Sequence, residues 1–238
     1  MTEFRPSRFE ILPAVIKNLL IINGIFFLAK ITFPESPTAN FSLEDMFALH
    51  AWQSELFKPW QLVTHLFMHG DFYHILGNMF ALWMFGSVLE NLWGSNRFIT
   101  FYFVCGLGAA LIHLLFLSYE LTPLIQEFQN LEKLGPINEA VAFKYKQIIN
   151  TATLGASGAV FGILAAFVYL FPNTYIYLYF FVPVKAKWVG LIYFGFEVFS
   201  AVQNAAGDNV ARWAHVGGAL VGLIIVITWN KTNKKTFY

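Results

Sequence analysis

Two polar side chains in otherwise apolar stretches of this sequence have the types needed for acyl-transfer chemistry. Ser157 lies in the string GASG at 155–158, and His215 lies in AHVGGALVG at 214–222. A serine hydroxyl is a poor nucleophile until a base removes its proton, and histidine exchanges protons readily near neutral pH. These residue types suggest a hydrolysis in which Ser157 attacks and His215 acts as its base, with no need for a cofactor.

Two further polar residues could stabilise the negative charge that forms on the attacked carbonyl oxygen. His74 and Asn78 are four residues apart, which places them on one face of a helix. Their side chains, together with the backbone N–H of Ser157 at the start of a helix, are the available donors. In characterised enzymes, losing one such donor lowers turnover about a hundred- to a thousand-fold.

Each of these patterns is weak when taken alone. A Gly-x-Ser-Gly string arises by chance in on the order of one chain in ten of this length at average glycine and serine usage. A lone histidine in a membrane span is about as often a packing residue as a catalytic one, and Asn78 could simply join two helices by a hydrogen bond. A functional site is favoured because all four polar residues fall at one depth in the helices that must position them.

The composition indicates a membrane protein. Of 238 residues, 57% are hydrophobic and 12% are charged, whereas about a quarter of an average soluble chain is charged. The mean hydropathy is +0.57. The formal net charge of +1 gives no reason to expect nucleic-acid binding, and the single cysteine, Cys105, excludes a disulfide within the chain and a cysteine metal cluster.

Six apolar runs can be read as membrane-spanning helices, because lipid requires every backbone polar group to be satisfied within its segment. They cover residues 12–33, 72–92, 98–117, 155–171, 188–202 and 213–229. The predicted fold is therefore all-α, a single polytopic membrane domain over residues 1–238. The fourth and fifth runs are short, which implies helix tilt or local thinning of the bilayer.

The flanking charges predict that both termini are cytoplasmic and that the first span is an uncleaved signal anchor. In this orientation the cytoplasmic side receives most of the basic residues, namely Arg5, Arg8, Arg97, Lys185, Lys187, Lys231, Lys234 and Lys235. Two long segments, 34–71 and 118–150, then lie outside. The first mixes aromatic and aliphatic residues with scattered charges, which is typical of an amphipathic segment in the interface. The second is polar enough to be a solvated helical or irregular excursion.

The four polar residues all lie near the outer ends of their predicted helices. Gly158 and Gly162 form a stripe of small residues on the fourth span, and Gly218 and Gly222 form another on the sixth. Small residues let helix backbones approach closely in lipid. The two stripes could therefore bring the serine and the histidine within hydrogen-bond reach.

These strings resemble the rhomboid family of intramembrane serine proteases, from the first span to the sixth. The matching strings are HGDFYHILGN at 69–78, ENLWGSNR at 90–97, GASG at 155–158, and Ala214-His215 with Gly218 and Gly222. The resemblance implies a catalytic dyad of Ser157 and His215 without an aspartate. It also implies that His74 and Asn78 help to stabilise the oxyanion.

The resemblance further implies how such an enzyme would act. Its substrates would be single-span membrane proteins that enter laterally, past the fifth span and the first outer segment, and are cut near the outer face. A fourth span that begins below the surface would leave a water-filled depression above Ser157. A bacterial inner membrane is the expected location, and the lipid bilayer and the substrate are the expected partners.

Two features depart from the commonest pattern of that family. Members often have a tyrosine four residues after the nucleophile, packed beneath the catalytic histidine, where this chain has Phe161. We expect the stacking of the ring to persist and any hydrogen bond from its hydroxyl to be lost. The second outer segment is also longer than in minimal bacterial members, and the sequence explains neither its purpose nor what orients His215.

Alternative readings stay open for the other polar residues and for the function. His65 and His69 could be half of a metal site, although no carboxylate completes one. His113 and Glu197 could mark a proton or ion pathway, but the sequence reveals no partner for either, which favours a hydrogen-bonded helix contact or a water-exposed position. The main rival function is a catalytically silent rhomboid-like binder of membrane clients, against which the presence of both dyad residues argues. A transporter or channel would be expected to show paired intramembrane charges or an internal repeat.

Overall fold

The computed structural model describes residues 9–33, 42–178, 181–203 and 211–232, and most of this part of the chain is helical. Residues 34–41 of the first predicted outer segment lie outside these ranges, as do Arg5, Arg8, Lys234 and Lys235. The helices are α1 (Ala14–Thr32), α2 (Leu43–Phe47), α3 (Gln61–Thr64), α4 (Phe72–Ala81), α5 (Ser87–Trp93), α6 (Ser95–Leu134), α7 (Glu139–Ile149), α8 (Ser157–Leu170), α9 (Ala186–Gln203) and α10 (Arg212–Thr232).

Shorter elements connect these helices. A 3-10 turn at His65–Phe67 follows α3, and a π-helical segment at Leu82–Gly86 joins α4 to α5. Strands β1 (Tyr175–Leu178) and β2 (Val182–Lys185) pair antiparallel between α8 and α9, which the sequence did not predict.

Four of the predicted spans are helices long and apolar enough to cross a membrane. By length and composition alone, the qualifying helices in the described ranges are Ala14–Thr32, Phe72–Trp93, Ser95–Leu134 and Arg212–Lys231. The fourth predicted span is α8, whose 14 residues extend about 21 Å, less than a hydrocarbon core about 30 Å thick. The fifth is α9, which carries Lys187 and Glu197. A bundle of several apolar helices is therefore established, whereas the count of six spans stays a prediction.

Helix α8 lies in the middle of the bundle. Its residues 158–167 are buried, and α6, α9 and α10 pack around it. A helix that is apolar on every side is expected in such a position, because it has no face to offer to water. Its N-terminal residue, Ser157, is thus a polar side chain at the end of an otherwise apolar, enclosed helix.

The N-terminus of α1 is held by Glu90 from α5. The residue that precedes α1, Pro13, offers no side-chain oxygen to cap the helix. Instead, the Glu90 carboxylate accepts the N–H groups of Val15 at 3.0 Å and Ile16 at 2.9 Å, and the Ser95 hydroxyl at 2.7 Å. Because unpaired N–H groups at a helix start favour negative charge, these contacts account for an acidic residue that is buried among apolar helices.

The first outer segment is folded around one buried amide side chain. Gln61 Nε2 donates to the carbonyl oxygens of Asp45 and Leu56, each at 2.9 Å. Its Oε1 accepts the N–H groups of His50 at 3.3 Å and Lys58 at 3.1 Å. In the described part of this segment, α2 and α3 are short helices in a compact loop.

The second outer segment, predicted at 118–150, is helical. Helix α6 does not end with its apolar part but continues through Pro123 to Leu134, and its 40 residues extend about 60 Å. Helix α7 then packs against this extension, where the rings of Phe128 and Tyr145 stack with centroids 3.8 Å apart. Of the two predicted forms for this segment, helical and irregular, the helical one is confirmed.

Replacing Glu90 by Gln should destabilise the fold. The amide keeps the size of the side chain but removes its charge and turns one of its two acceptors into a donor that faces backbone N–H groups. We expect the free energy of unfolding to fall by about 1.5–3 kcal/mol. Thermal unfolding in detergent measures this, with Glu132→Gln, an exposed change at the end of α6, as the control. Equal unfolding midpoints for the two variants would contradict the capping role.

Candidate active site

The side chains of Ser157 and His215 are in contact at the N-terminal ends of α8 and α10. Ser157 is the first residue of α8, and His215 lies in the first turn of α10. The Nε2 atom of His215 is 2.8 Å from the Oγ atom of Ser157. This is a hydrogen-bond distance, along which an imidazole can take a proton from a hydroxyl.

Glycines allow the two helices to approach this closely. A Cβ atom added at Gly218 would overlap the carbonyl oxygen of Gly158, and one at Gly222 would lie 2.6 Å from the carbonyl oxygen of Gly162. On its other side, a Cβ atom at Gly162 would lie 2.6 Å from the Sγ atom of Cys105 on α6. The predicted meeting of the two glycine stripes is thereby confirmed, and α6 forms a third wall.

The imidazole of His215 stacks on an aromatic ring. The Phe161 ring lies 4.2 Å from it, centroid to centroid, with an interplanar angle of 9°. On its opposite face Phe161 stacks against Tyr193 of α9, at 5.1 Å and 22°. The expected stacking of Phe161 beneath the histidine is therefore confirmed, and the stack continues into α9.

The second ring nitrogen of His215 meets a buried carboxylate that the sequence interpretation left without a partner. The Oε2 atom of Glu197 lies 3.1 Å from His215 Nδ1 and 3.4 Å from the Nη1 atom of Arg212. Glu197 is only 4% exposed. Of the two expectations for Glu197, the hydrogen-bonded helix contact is confirmed, and its partners, which the sequence did not reveal, lie on the neighbouring helix.

A signal for this contact was present in the sequence. Glu197 lies in the C-terminal half of α9, and Arg212 begins α10 after a short connection, so both fall at the depth of His215. An acidic residue within an apolar segment is expected to have a partner, and a basic residue at the same depth is the natural candidate.

His74 borders the serine, and Asn78 lies one turn further along α4. A Cβ atom added at Gly155 would lie 2.7 Å from His74 Nε2 and 3.6 Å from Ser157 Oγ. Little more than the backbone of Gly155 therefore lies between the His74 ring and the Ser157 hydroxyl. The N–H of Gly70 donates to His74 Nδ1 at 3.4 Å, which leaves Nε2 to carry the hydrogen of the neutral ring. The Nδ2 atom of Asn78 is buried and bonds to no other described residue.

Asp71 fixes the start of α4 and with it the position of His74. Its carboxylate accepts the backbone N–H of His74 at 3.0 Å, as expected of a capping aspartate. This hydrogen bond, together with a weaker one from the N–H of Tyr73, holds the pKa of Asp71 below its usual value.

The loop before Ser157 is held by the first outer segment. Leu49 and Thr153 exchange two backbone hydrogen bonds of 2.8 Å, and the N–H of Gly155 donates to the carbonyl of His65 at 2.9 Å. Gly155 has a φ of +126°, which side chains rarely tolerate. The Nε2 atom of His113 lies 2.8 Å from the Thr153 hydroxyl, so His113, too, has a partner that the sequence did not reveal.

The two histidines considered as half of a metal site have other surroundings. His65 Nδ1 lies 2.7 Å from the carbonyl oxygen of Gln61, and the His69 ring meets His74 edge to face at 5.1 Å. Over the described ranges, no three histidine, cysteine, aspartate or glutamate residues lie together as a metal site would require.

Residues 56–231 match the Rhomboid domain, a range that includes all four candidate residues. The chain therefore belongs to the rhomboid family. Its apolar helices agree with this, and this rhomboid is an integral membrane protein.

Individual relatives come from plants, fungi and bacteria. RHOMBOID-like protein 12, mitochondrial, of Arabidopsis thaliana is 27% identical over 94% of this chain and 60% of its own length. Rhomboid protein 1, mitochondrial, of Saccharomyces cerevisiae is 30% identical over 68% of this chain and 40% of its own length. Rhomboid protease AarA of Providencia stuartii is 24% identical over 91% of this chain and 72% of its own length. This rhomboid thus spans 60% or less of the two mitochondrial relatives.

These relatives bear on the location of the protein. Integral membrane placement stands, but the mitochondrial names of the plant and yeast rhomboids mean that a bacterial inner membrane is not supported. The orientation of the chain ends stays a prediction, and four of the charges on which it is based, Arg5, Arg8, Lys234 and Lys235, lie outside the described residues.

Widening the glycine contact in this rhomboid should loosen the bundle. In Gly218→Ala the new methyl group would meet backbone of α8, which cannot move aside as a flexible side chain can. We expect the free energy of unfolding to fall by about 1–3 kcal/mol or more. The control is Gly24→Ala on α1, where an added Cβ atom meets nothing within 4 Å. Thermal unfolding in detergent compares the two, and an unchanged midpoint for Gly218→Ala would show that the helices are not in backbone contact.

The first outer segment, which contains His65 and His69, should lose stability in acid. Burial lowers the pKa of His65 to about 4, and mainly through burial that of His69 also falls to about 4, from 6.5 in the exposed side chain. Between pH 6.5 and pH 4 the unfolded chain binds protons that the folded chain does not. The free energy of unfolding therefore has its full value above about pH 6.5 and decreases as the pH is lowered toward 4. For His65 alone the loss amounts to about 3 kcal/mol.

Unfolding midpoints of wild type and His65→Gln, followed from pH 7.5 to about pH 4, isolate this effect, since carboxylate titration is common to both proteins. The variant should show the shallower decline. Parallel profiles would mean that His65 is not buried in its neutral form.

Proposed function

We propose that this rhomboid is a serine endopeptidase that cleaves membrane-spanning segments of other proteins, with Ser157 as nucleophile and His215 as general base. The observation that carries the proposal is the 2.8 Å contact between Ser157 Oγ and His215 Nε2 within a bundle of apolar helices. Two relatives that are named as rhomboid proteases, AarA of Providencia stuartii and GluP of Bacillus subtilis, agree with it. We also propose that the chain forms a single membrane domain.

The reaction needs only groups that this chain and water provide. Ser157 Oγ attacks the carbonyl carbon of the scissile bond while its proton passes to His215 Nε2. His215 then gives that proton to the leaving amine, and the C–N bond breaks to leave an acyl-serine ester. A water molecule, deprotonated by His215, attacks the ester, and the proton returns to Ser157 as the acid product departs.

We propose that three donors stabilise the oxyanion. One is the backbone N–H of Ser157, which at the start of α8 has no acceptor one turn earlier in its helix. The second is the Nε2–H of His74, which borders the serine, and the third is the Nδ2 amide of Asn78. Donors that are positioned in advance stabilise the transition state without reorganising.

The short α8 supports a site within the membrane that water can still reach. A helix of 14 residues cannot fill the hydrocarbon thickness, so at least one of its ends lies below a membrane surface. We propose that this is the end at Ser157. Polar backbone is tolerated at such a depth where it lines a wet cavity. We propose that cleavage takes place near the outer face, that single-span proteins are the substrates, and that both termini lie on the opposite side.

A serine-directed fluorophosphonate probe and a fluorescent single-span reporter peptide test the proposal on the purified chain in detergent. Wild type should be labelled and should cleave the peptide. Ser157→Ala should lose both, with a fall in turnover on the order of 10⁴-fold or more, and His215→Ala should fall comparably.

Ser87→Ala on α5 is the matched control, since it also removes a buried serine hydroxyl and should keep activity. A silent client binder would bind the reporter peptide but would neither react with the probe nor cleave. Cleavage that persists in Ser157→Ala would refute the assignment of the nucleophile.

A further inference from the structure

We infer that Glu197 is a positioning residue for His215, so that the site works as a serine–histidine–glutamate relay across α8, α10 and α9. The inference rests on the proposed function and deepens it. Its role would be to hold the imidazole with Nδ1–H toward the carboxylate and Nε2 toward Ser157. It would also stabilise the cationic ring that forms when His215 takes the serine proton.

The geometry of the three side chains supports this role. His215 lies between the other two, with Nε2 at 2.8 Å from Ser157 Oγ and Nδ1 at 3.1 Å from Glu197 Oε2. A carboxylate can only accept, so Nδ1 must carry the hydrogen. In the neutral ring Nε2 then has its lone pair toward the serine hydroxyl, which is the form that a general base requires.

Burial makes the interaction stronger than a surface contact would be. Glu197 is almost completely enclosed, and charge interactions in such surroundings are weakly screened. A buried carboxylate must itself be compensated, and Arg212 does so from the start of α10, at 3.4 Å from the same oxygen atom. The guanidinium is in turn held over the ring of Phe196 on α9, at 5.5 Å.

A purely structural role for Glu197 is the alternative that must be distinguished from the positioning of His215. Through Arg212, Glu197 also ties α9 to α10, and this tie could be its whole purpose. The two roles differ in what they predict for a small reagent. Losing a helix tie affects the fold and substrate docking, whereas losing the orientation of His215 slows every reaction of the serine.

The test measures fluorophosphonate labelling rate, kcat and KM for the reporter peptide, and thermal unfolding, on the full chain in detergent. In Glu197→Gln the amide has nearly the same shape but no charge, and it can present a donor to Nδ1. We expect the labelling rate and kcat to fall by the same factor, on the order of 10²- to 10⁴-fold, with KM little changed. Glu197→Asp, which keeps the charge, should recover part of the loss. Glu127→Gln, an exposed carboxylate on α6, is the control and should match wild type.

Two further variants keep the test decisive if Glu197→Gln folds poorly because Arg212 loses its bond to this carboxylate. The double change Glu197→Gln with Arg212→Gln removes both charges of this ion pair together, and it should show the same loss of labelling. Arg212→Gln alone keeps the carboxylate on His215 and should label much faster than Glu197→Gln. Equal rates for these two single variants would mean that the helix tie is the whole effect.

The outcomes also separate this inference from the function on which it rests. If wild type is labelled and Ser157→Ala is not, while Glu197→Gln is labelled as fast as wild type, the relay is wrong and the protease assignment stands. If Glu197→Gln raises KM or lowers the unfolding midpoint without slowing labelling, Glu197 is structural. If wild type is labelled no more than Ser157→Ala, both the proposed function and the relay fall.

Discussion

The backbone contact between α8 and α10 is the constraint on which the rest of the structure depends. Gly218 faces Gly158 and Gly222 faces Gly162 so closely that no side chain fits at either place. In lipid such contact replaces the hydrophobic effect as the source of helix association, because acyl chains are as apolar as the side chains they meet. The contact also fixes the alignment of the two helices, and Ser157 and His215 meet because each lies near the same end of it.

Pairing of buried polar groups is the second theme of the bundle. Gln61 satisfies four backbone groups of the outer segment, Glu90 satisfies the start of α1, and Glu197 lies between Arg212 and His215. An unpaired polar group in such surroundings is costly, so each pair links two elements that apolar packing alone would let slide. The hydrogen bonds of Gln61 and Glu90 stabilise the fold, whereas those of Glu197 reach His215, a side chain that can take part in chemistry.

Sequence reasoning predicted the parts of this arrangement that depend on spacing along one helix. The glycine stripes follow from residues four apart, and the structure confirms that they meet. The ring of Phe161 beneath His215 was expected from the resemblance to the rhomboid family, and the structure confirms it too. A hydrogen bond between helices depends on how each helix is rotated, which one sequence does not specify. For this reason the partners of Glu197 and His113 were missed. The length of α6 was missed for another reason, because a helix that leaves the membrane keeps its geometry while its composition turns polar.

Helix α9 has two properties that act against each other. One side holds Glu197 against α10, while Leu191, Ile192, Phe199 and Val202 on the remaining surface are each more than half exposed. A helix with few packed neighbours can move away from the bundle with the smallest loss of contacts. This suits the lateral entry of substrate past the fifth span that the resemblance to the rhomboid family implies. Yet the carboxylate beside His215 lies on this same helix, so moving its C-terminal half would take the partner of Nδ1 away. Entry and catalysis are then compatible only if the substrate passes without displacing Glu197, or if α9 returns before the proton is transferred.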